Sequence, residues 1–150
     1  MTATNHALTG AVVASIIKQP VLAIPLAFVS HFVCDSIPHF DSEKDKKLAK
    51  WAIPLDLSIA FVLVLYLTFL VDIGIPGWLV FLSMAAATSP DIVWGWRYFK
   101  LRDLQKMVEK PMLITTYYHL KIQWSETKKG IVVEALWFIA MSTILYYKAH

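Results

Sequence analysis

The sequence predicts an all-α integral membrane helical bundle, a short re-entrant N-terminal helical hairpin followed by about three transmembrane helices. One domain covers residues 1–150. Three observations predict it. Hydrophobic residues make up 57% of the chain and charged residues only 17%, against about 25% charged in soluble domains. The apolar residues fall into five runs of helical length, separated by polar or Pro/Gly-bearing turns. Finally, 12 of the 14 Lys and Arg lie in two connections, residues 41–50 and 97–130.

The first two runs, 6–17 (HALTGAVVASII) and 20–34 (PVLAIPLAFVSHFVC), are split by Lys18-Gln19-Pro20, where Pro20 suits the first position of a helix. Each is about 18–23 Å long at 1.5 Å per residue, short of the roughly 30 Å hydrocarbon core. They therefore read as a re-entrant hairpin that enters and leaves on one side; a full crossing would keep the topology and change only the depth. Gly10 and Ala14, four apart, offer a small-residue face for close helix contact. Residues 51–71, 78–96 and 131–147 are long enough to span. Trp51, Trp78, Trp94 and Trp96 lie at predicted ends, as in an interfacial aromatic belt.

Charge sets the orientation. Both basic connections fall on the same side of a hairpin-plus-three-spans arrangement, and the positive-inside rule places that side in the cytoplasm. The link 72–77 (DIGIPG) carries no positive charge. Lys18 falls at the hairpin tip and has to snorkel. The segment KLRDLQKMVEK reads either as a short amphipathic helix on the headgroups or as a solvated loop. The net charge of +3 is modest and lacks the dense basic stripe of a nucleic-acid binder, so none is expected as a partner. The single cysteine, Cys34, excludes an intrachain disulfide. No basic region precedes an apolar core at the N-terminus, which argues against a cleavable signal peptide.

The polar residues are the puzzle in so apolar a chain. Residues 31–41, HFVCDSIPHFD, hold two histidines and two aspartates. His31 and Asp35 are four apart and share a helix face. His39 and Asp41 follow Pro38, which breaks that helix. His6 opens the first run, Asp56 lies about one and a half turns into the third, Asp91 lies near the end of the fourth, and His119 is in the second basic loop. On the predicted topology all of them lie on the cytoplasmic side at similar depth. Intramembrane carboxylates are costly and face a partner or a wet cavity. Imidazole and carboxylate are the ligands that zinc, manganese and iron accept. A divalent cation, zinc before manganese or iron, would gather these groups, with His6 and His119 completing the site or a second metal.

Taken singly, each residue has a plainer reading. Asp56 suits a hydrogen bond to neighbouring helices, and His6 a helix cap or a headgroup contact. His119 suits an interfacial residue, and Asp41 a helix start. Glu126 reads as a loop charge and Glu134 as an interhelical hydrogen bond, while Cys34 suits a small buried hydrophobe. The convergence on one side favours the joint reading.

The stretches NHALTG, SHFVCDSIPHFD and TSPD resemble bacterial inner-membrane proteins classed as metal-dependent hydrolases, the LexA-regulated membrane hydrolase family among them. HFVCDSIPH also resembles, in part, the His-x-x-x-Asp…Pro…His segment of zinc-dependent phospholipases C and single-strand nucleases. There the final His usually falls two residues further on, and their His-x-x-x-Glu ligand pair has no counterpart here. The resemblance implies a multi-pass protein of the inner membrane that cleaves a phosphoester or lipid-linked substrate at the cytoplasmic interface.

On this reading His6, His31, Asp35, His39, Asp91 and His119 are the metal ligands, with Asp56 or Asp41 as orienter or general base. The competing class is a non-catalytic protein that binds or conducts metal. A transporter would spread polar groups through the membrane depth, whereas here the far halves of the spans (FVLVLYLTFL, WLVFLSM, ALWFIAM) are apolar. Metal identity, substrate and oligomeric state are not legible.

Overall fold

The computed structural model describes residues 1–40, 46–101, 114, 117, 121 and 130–150, with the side chains at 46–50, 94–95 and 97–101 left out. Five helices are described: α1 (Ala3–Ile17), α2 (Pro20–Asp35), α3 (Lys46–Phe69), α4 (Gly77–Leu101) and α5 (Gly130–Ala149). The all-helical class holds. Asp41, His119, Glu126 and the KLRDLQKMVEK segment beyond Leu101 lie outside the described residues.

The hairpin forms as its turn residues dictate. Lys18 takes a left-handed φ of 57° and its N–H bonds Ala14 O, which closes α1, and Pro20 is the first residue of α2. The helices then alternate in direction. The start of α1, the end of α2, the starts of α3 and α5 and the C-terminal half of α4 meet at one end. The hairpin tip and the α3–α4 link meet at the other.

α1 is the centre of the bundle and packs against each of the other four helices. Its small residues permit this. Gly10 lies so close to α4 that a Cβ there would come within 2.5 Å of Ser83 O. Ala7, Ala11 and Ala14 are fully buried. The expectation of a shallow hairpin needs amending in one respect. Ala14, Ala23, Ile17 and Ile24 pack on Leu79 and Ile75, so the tip reaches the level of the α3–α4 link. Short helices reach this far because α3 and α5 extend beyond them at the other end.

Burial differs from that of a soluble bundle. The interior combines a small apolar core (Leu8, Val12, Ile73, Val80, Met84) with Ala, Ser, Thr and ionisable residues, whereas Phe61, Val62, Leu65, Phe69, Leu136, Phe138 and Ile139 are exposed. Soluble helices bury such residues. Two helical stretches, Trp51–Phe69 and Gly130–Ala149, are long and apolar enough to cross a membrane, and only 11% and 17% of their apolar windows are buried. A core helix of a soluble domain would have most of that window covered. The apolar part described in α4, Gly77–Val93, is shorter. Trp51, Trp78 and Trp96 are exposed.

Candidate metal centre

Four ionisable side chains from three helices converge at the end where α1 begins. His6 comes from the first turn of α1, His31 and Asp35 from the last two turns of α2, and Asp91 from α4. One ligand atom from each lies within 4.8 Å of every other, and these four form a group able to hold a metal ion. His6 Nε2 is 3.0 Å from Asp35 Oδ1 and 3.8 Å from Asp91 Oδ2. His31 Nε2 is 3.2 Å from Asp35 Oδ2 and 3.7 Å from Asp91 Oδ1. The two imidazoles stack with centroids 4.0 Å apart and planes 26° from parallel. Both rings thus turn their Nε2 atoms towards the same carboxylates.

Ligands about 2.0–2.1 Å from a tetrahedral ion stand about 3.3–3.4 Å from one another; the nitrogen–oxygen approaches here, which engage both oxygens of each carboxylate, run from 3.0 to 3.8 Å. The fit is also tested by the hydrogen bonding of His6. Its ring is fully buried, yet neither nitrogen makes an aligned hydrogen bond among the described residues, close as Nε2 is to Asp35. A buried polar group in that state carries a desolvation cost of about 1–3 kcal/mol, which a coordinated cation would offset. The Met1 amino nitrogen, 2.6 Å from Asp35 Oδ1, also brings positive charge to this carboxylate.

Local sequence explains how each ligand is held. Pro90 has no N–H for the carbonyl one turn back, and the Ser89 hydroxyl donates to that carbonyl, Ala86 O, at 2.8 Å. Beside this break, Ala87 O lies 2.9 Å from His31 Nδ1. A neutral His31 that donates from Nδ1 presents the Nε2 lone pair to the centre, the arrangement by which metal-binding histidines are oriented. Thr-Ser-Pro-Asp therefore supplies a candidate ligand, Asp91, and lies beside a carbonyl that sets its neighbour.

His6 is set by its helix, and the helix by acids from its neighbours. Thr2 precedes α1 without capping it through its own side chain. The orphan N–H groups of the first turn go elsewhere. Ala3 N and Thr4 N donate to the two Asp56 oxygens, at 2.7 and 3.2 Å, and Thr4 Oγ1 donates to Oδ1 at 2.6 Å. Glu134 of α5 accepts from Thr2 N, Thr2 Oγ1 and Asn5 Nδ2. Both carboxylates also lie where a helix start favours negative charge.

The structure thus brings together His6, His31, Asp35 and Asp91 of the expected ligands. His39 lies outside the group. Its Nδ1 is 2.8 Å from Ile37 O, and its backbone abuts Gly130 at the start of α5, where no Cβ would fit. His119 and Asp41 are not described. Asp56 has both oxygens engaged by α1, which agrees with an orienting role and with the interhelical reading. Glu134 makes the interhelical hydrogen bonds its position suggested. Cys34 is buried, with Sγ 3.8 Å from Thr9 Oγ1. Sequence reasoning missed Ala87, whose contribution is a main-chain carbonyl; Pro90, three residues on, was the available signal.

Comparison with protein-family models, curated proteins and solved structures finds no match to this chain. The class defined by fold and site together is a helical protein with two membrane-length apolar helices and a buried His/Asp group able to hold a metal.

Proposed function

We propose that this chain is a multi-pass protein of a bacterial inner membrane that hydrolyses a phosphoester or lipid-linked substrate with a divalent metal, zinc foremost, held by His6, His31, Asp35 and Asp91. The observation that carries this reading is the convergence of those four groups, with both imidazole Nε2 atoms turned on the same two carboxylates in a largely buried site. The exposed apolar belt and the two membrane-length helices support the bilayer as surroundings. The sequence resemblance to inner-membrane hydrolases supports the reaction class.

The chain's own residues have separable tasks. Asp35 and Asp91 supply the negative charge that retains the cation, and His6 and His31 the nitrogen ligands. Ala87 O keeps the tautomer of His31, and Asp56 and Glu134 hold α1 so that His6 faces the centre. A divalent cation held by these four residues would supply a bound water of near-neutral pKa and polarisation of a phosphoryl or acyl oxygen. Asp56, which holds the first turn of α1 beside the centre, lies five residues and about 7.5 Å along α3 from Trp51. That is headgroup level if Trp51 marks the interface. A lipid headgroup would reach it there.

Protein purified in detergent tests this. Metal content by mass spectrometry is followed by a panel of lipid phosphoesters. One metal per chain with turnover, both lost in His31→Ala and Asp35→Asn, is the expected result. Metal without turnover on any substrate would reduce the protein to a metal binder.

A further inference from the structure

Resting on the metal-centre reading, we infer that Asp91 is the displaceable ligand, and that an anionic phosphoryl oxygen of the substrate enters on its side. Three features separate Asp91 from its companions. His6, His31 and Asp35 are at most 1% exposed, whereas the Asp91 side chain is 29% exposed. Asp35 approaches the two Nε2 atoms to 3.0 and 3.2 Å, whereas Asp91 stands back at 3.8 and 3.7 Å. The third feature is the scaffold. His31 and Asp35 share one continuous helix end, and His6 sits on the buried central helix with its start held by Asp56 and Glu134. Asp91 follows Pro90, where the helical ladder lacks a donor.

His6, His31 and Asp35 are shut off from the surface while Asp91 reaches it, so an incoming group has the Asp91 edge available. Ile92 and Val93, next along α4, are exposed and apolar. An amphiphile could lay its acyl part along them while its phosphate meets the cation. Catalytic metal sites keep such an open position, whereas structural sites are closed by protein ligands.

Cobalt(II) is the probe. Detergent-purified protein is loaded with Co2+, its content measured, and its visible absorption followed during titration with inorganic phosphate or, separately, with phosphatidic acid in mixed micelles. Asp91→Ala is expected to retain one Co2+ per chain at saturating Co2+, with affinity lowered but at least about tenfold above that of His31→Ala, and to bind phosphate about three- to tenfold more tightly than wild type because the competing carboxylate is gone. Asp91→Asn, close in shape, gives the same pattern and keeps the test decisive if the alanine variant fails to fold.

A spectral response to both additives identifies the phosphate group as the ligand, and a response to phosphatidic acid alone identifies the lipid. Either supports the inference. Loss of Co2+ from both Asp91 variants as complete as in His31→Ala would make Asp91 a firm ligand and overturn it, as would spectra unmoved by either additive. Failure of the wild type to bind Co2+ would instead overturn the metal centre itself.

Discussion

At the scale of residues, the centre is a problem of buried polarity. Two carboxylates and two imidazoles, three of them almost fully buried, each bring one ligand atom within 4.8 Å of the others. Burying these groups without full compensation costs stability, and a bound cation would offset that cost. Chelation should therefore lower thermal stability in detergent, by about 2.7 kcal/mol where free metal had been 100 times its dissociation constant. A His6→Ala variant should not respond to chelator. If the centre holds no metal, wild-type stability would instead be unmoved by chelator. Gly10 makes the packing counterpart. Gly10→Ala gains helix propensity of up to about 1 kcal/mol, yet its Cβ would lie 2.5 Å from Ser83 O. Overpacking of this kind costs about 1–3 kcal/mol, so a net loss in a thermal melt is expected. The four converging residues were legible because ionisable groups in apolar segments are expensive and hence purposeful. His39 was not placed by the same logic, since it lies past the end of α2 (Asp35) and beyond Pro38, where helical periodicity no longer says which way a side chain points.

At the scale of elements, α1 decides the arrangement. Its start is held by acids from α3 and α5 in place of its own cap, and its length is lined with alanines and a glycine that let four helices approach. Removing Asp56 should release the first turn. Asp56→Ala is expected to cost about 1–2 kcal/mol of stability, the range for loss of a helix cap. It should also speed amide exchange at residues 3–9 and, through His6, weaken metal binding by about tenfold. Exchange rates equal to wild type would show that Glu134 alone suffices to hold α1. The apolar runs placed the helices to within a few residues, with α3 starting earlier than its apolar stretch because its first turn is basic. They did not reveal that α1 is central. A run's length measures how far a helix reaches and says nothing of how many neighbours surround it. Gly10 and Ala14 marked a contact face without identifying α4 as the partner.

At the scale of the whole molecule, ionisable groups gather at one end of the bundle while the outer face is apolar along its length. In a bilayer this places the centre near one surface and the α3–α4 link at the other. Cysteine labelling tests the orientation. In a Cys34→Ser background, Ser42→Cys, in the first basic connection, should react with impermeant maleimide only from the cytoplasmic side, and Asp72→Cys only from the opposite side. Labelling of both from one face would contradict three spans with a hairpin. Wild-type Cys34, 1% exposed, should stay unreactive until the protein unfolds. The most direct test of the central claim is the metal content of the purified, undialysed chain by inductively coupled plasma mass spectrometry, with His31→Ala measured beside it. Near one divalent ion per wild-type chain and a small fraction of that in the variant is the predicted result. Wild-type and variant protein equally devoid of metal, after purification in metal-supplemented buffer, would contradict it.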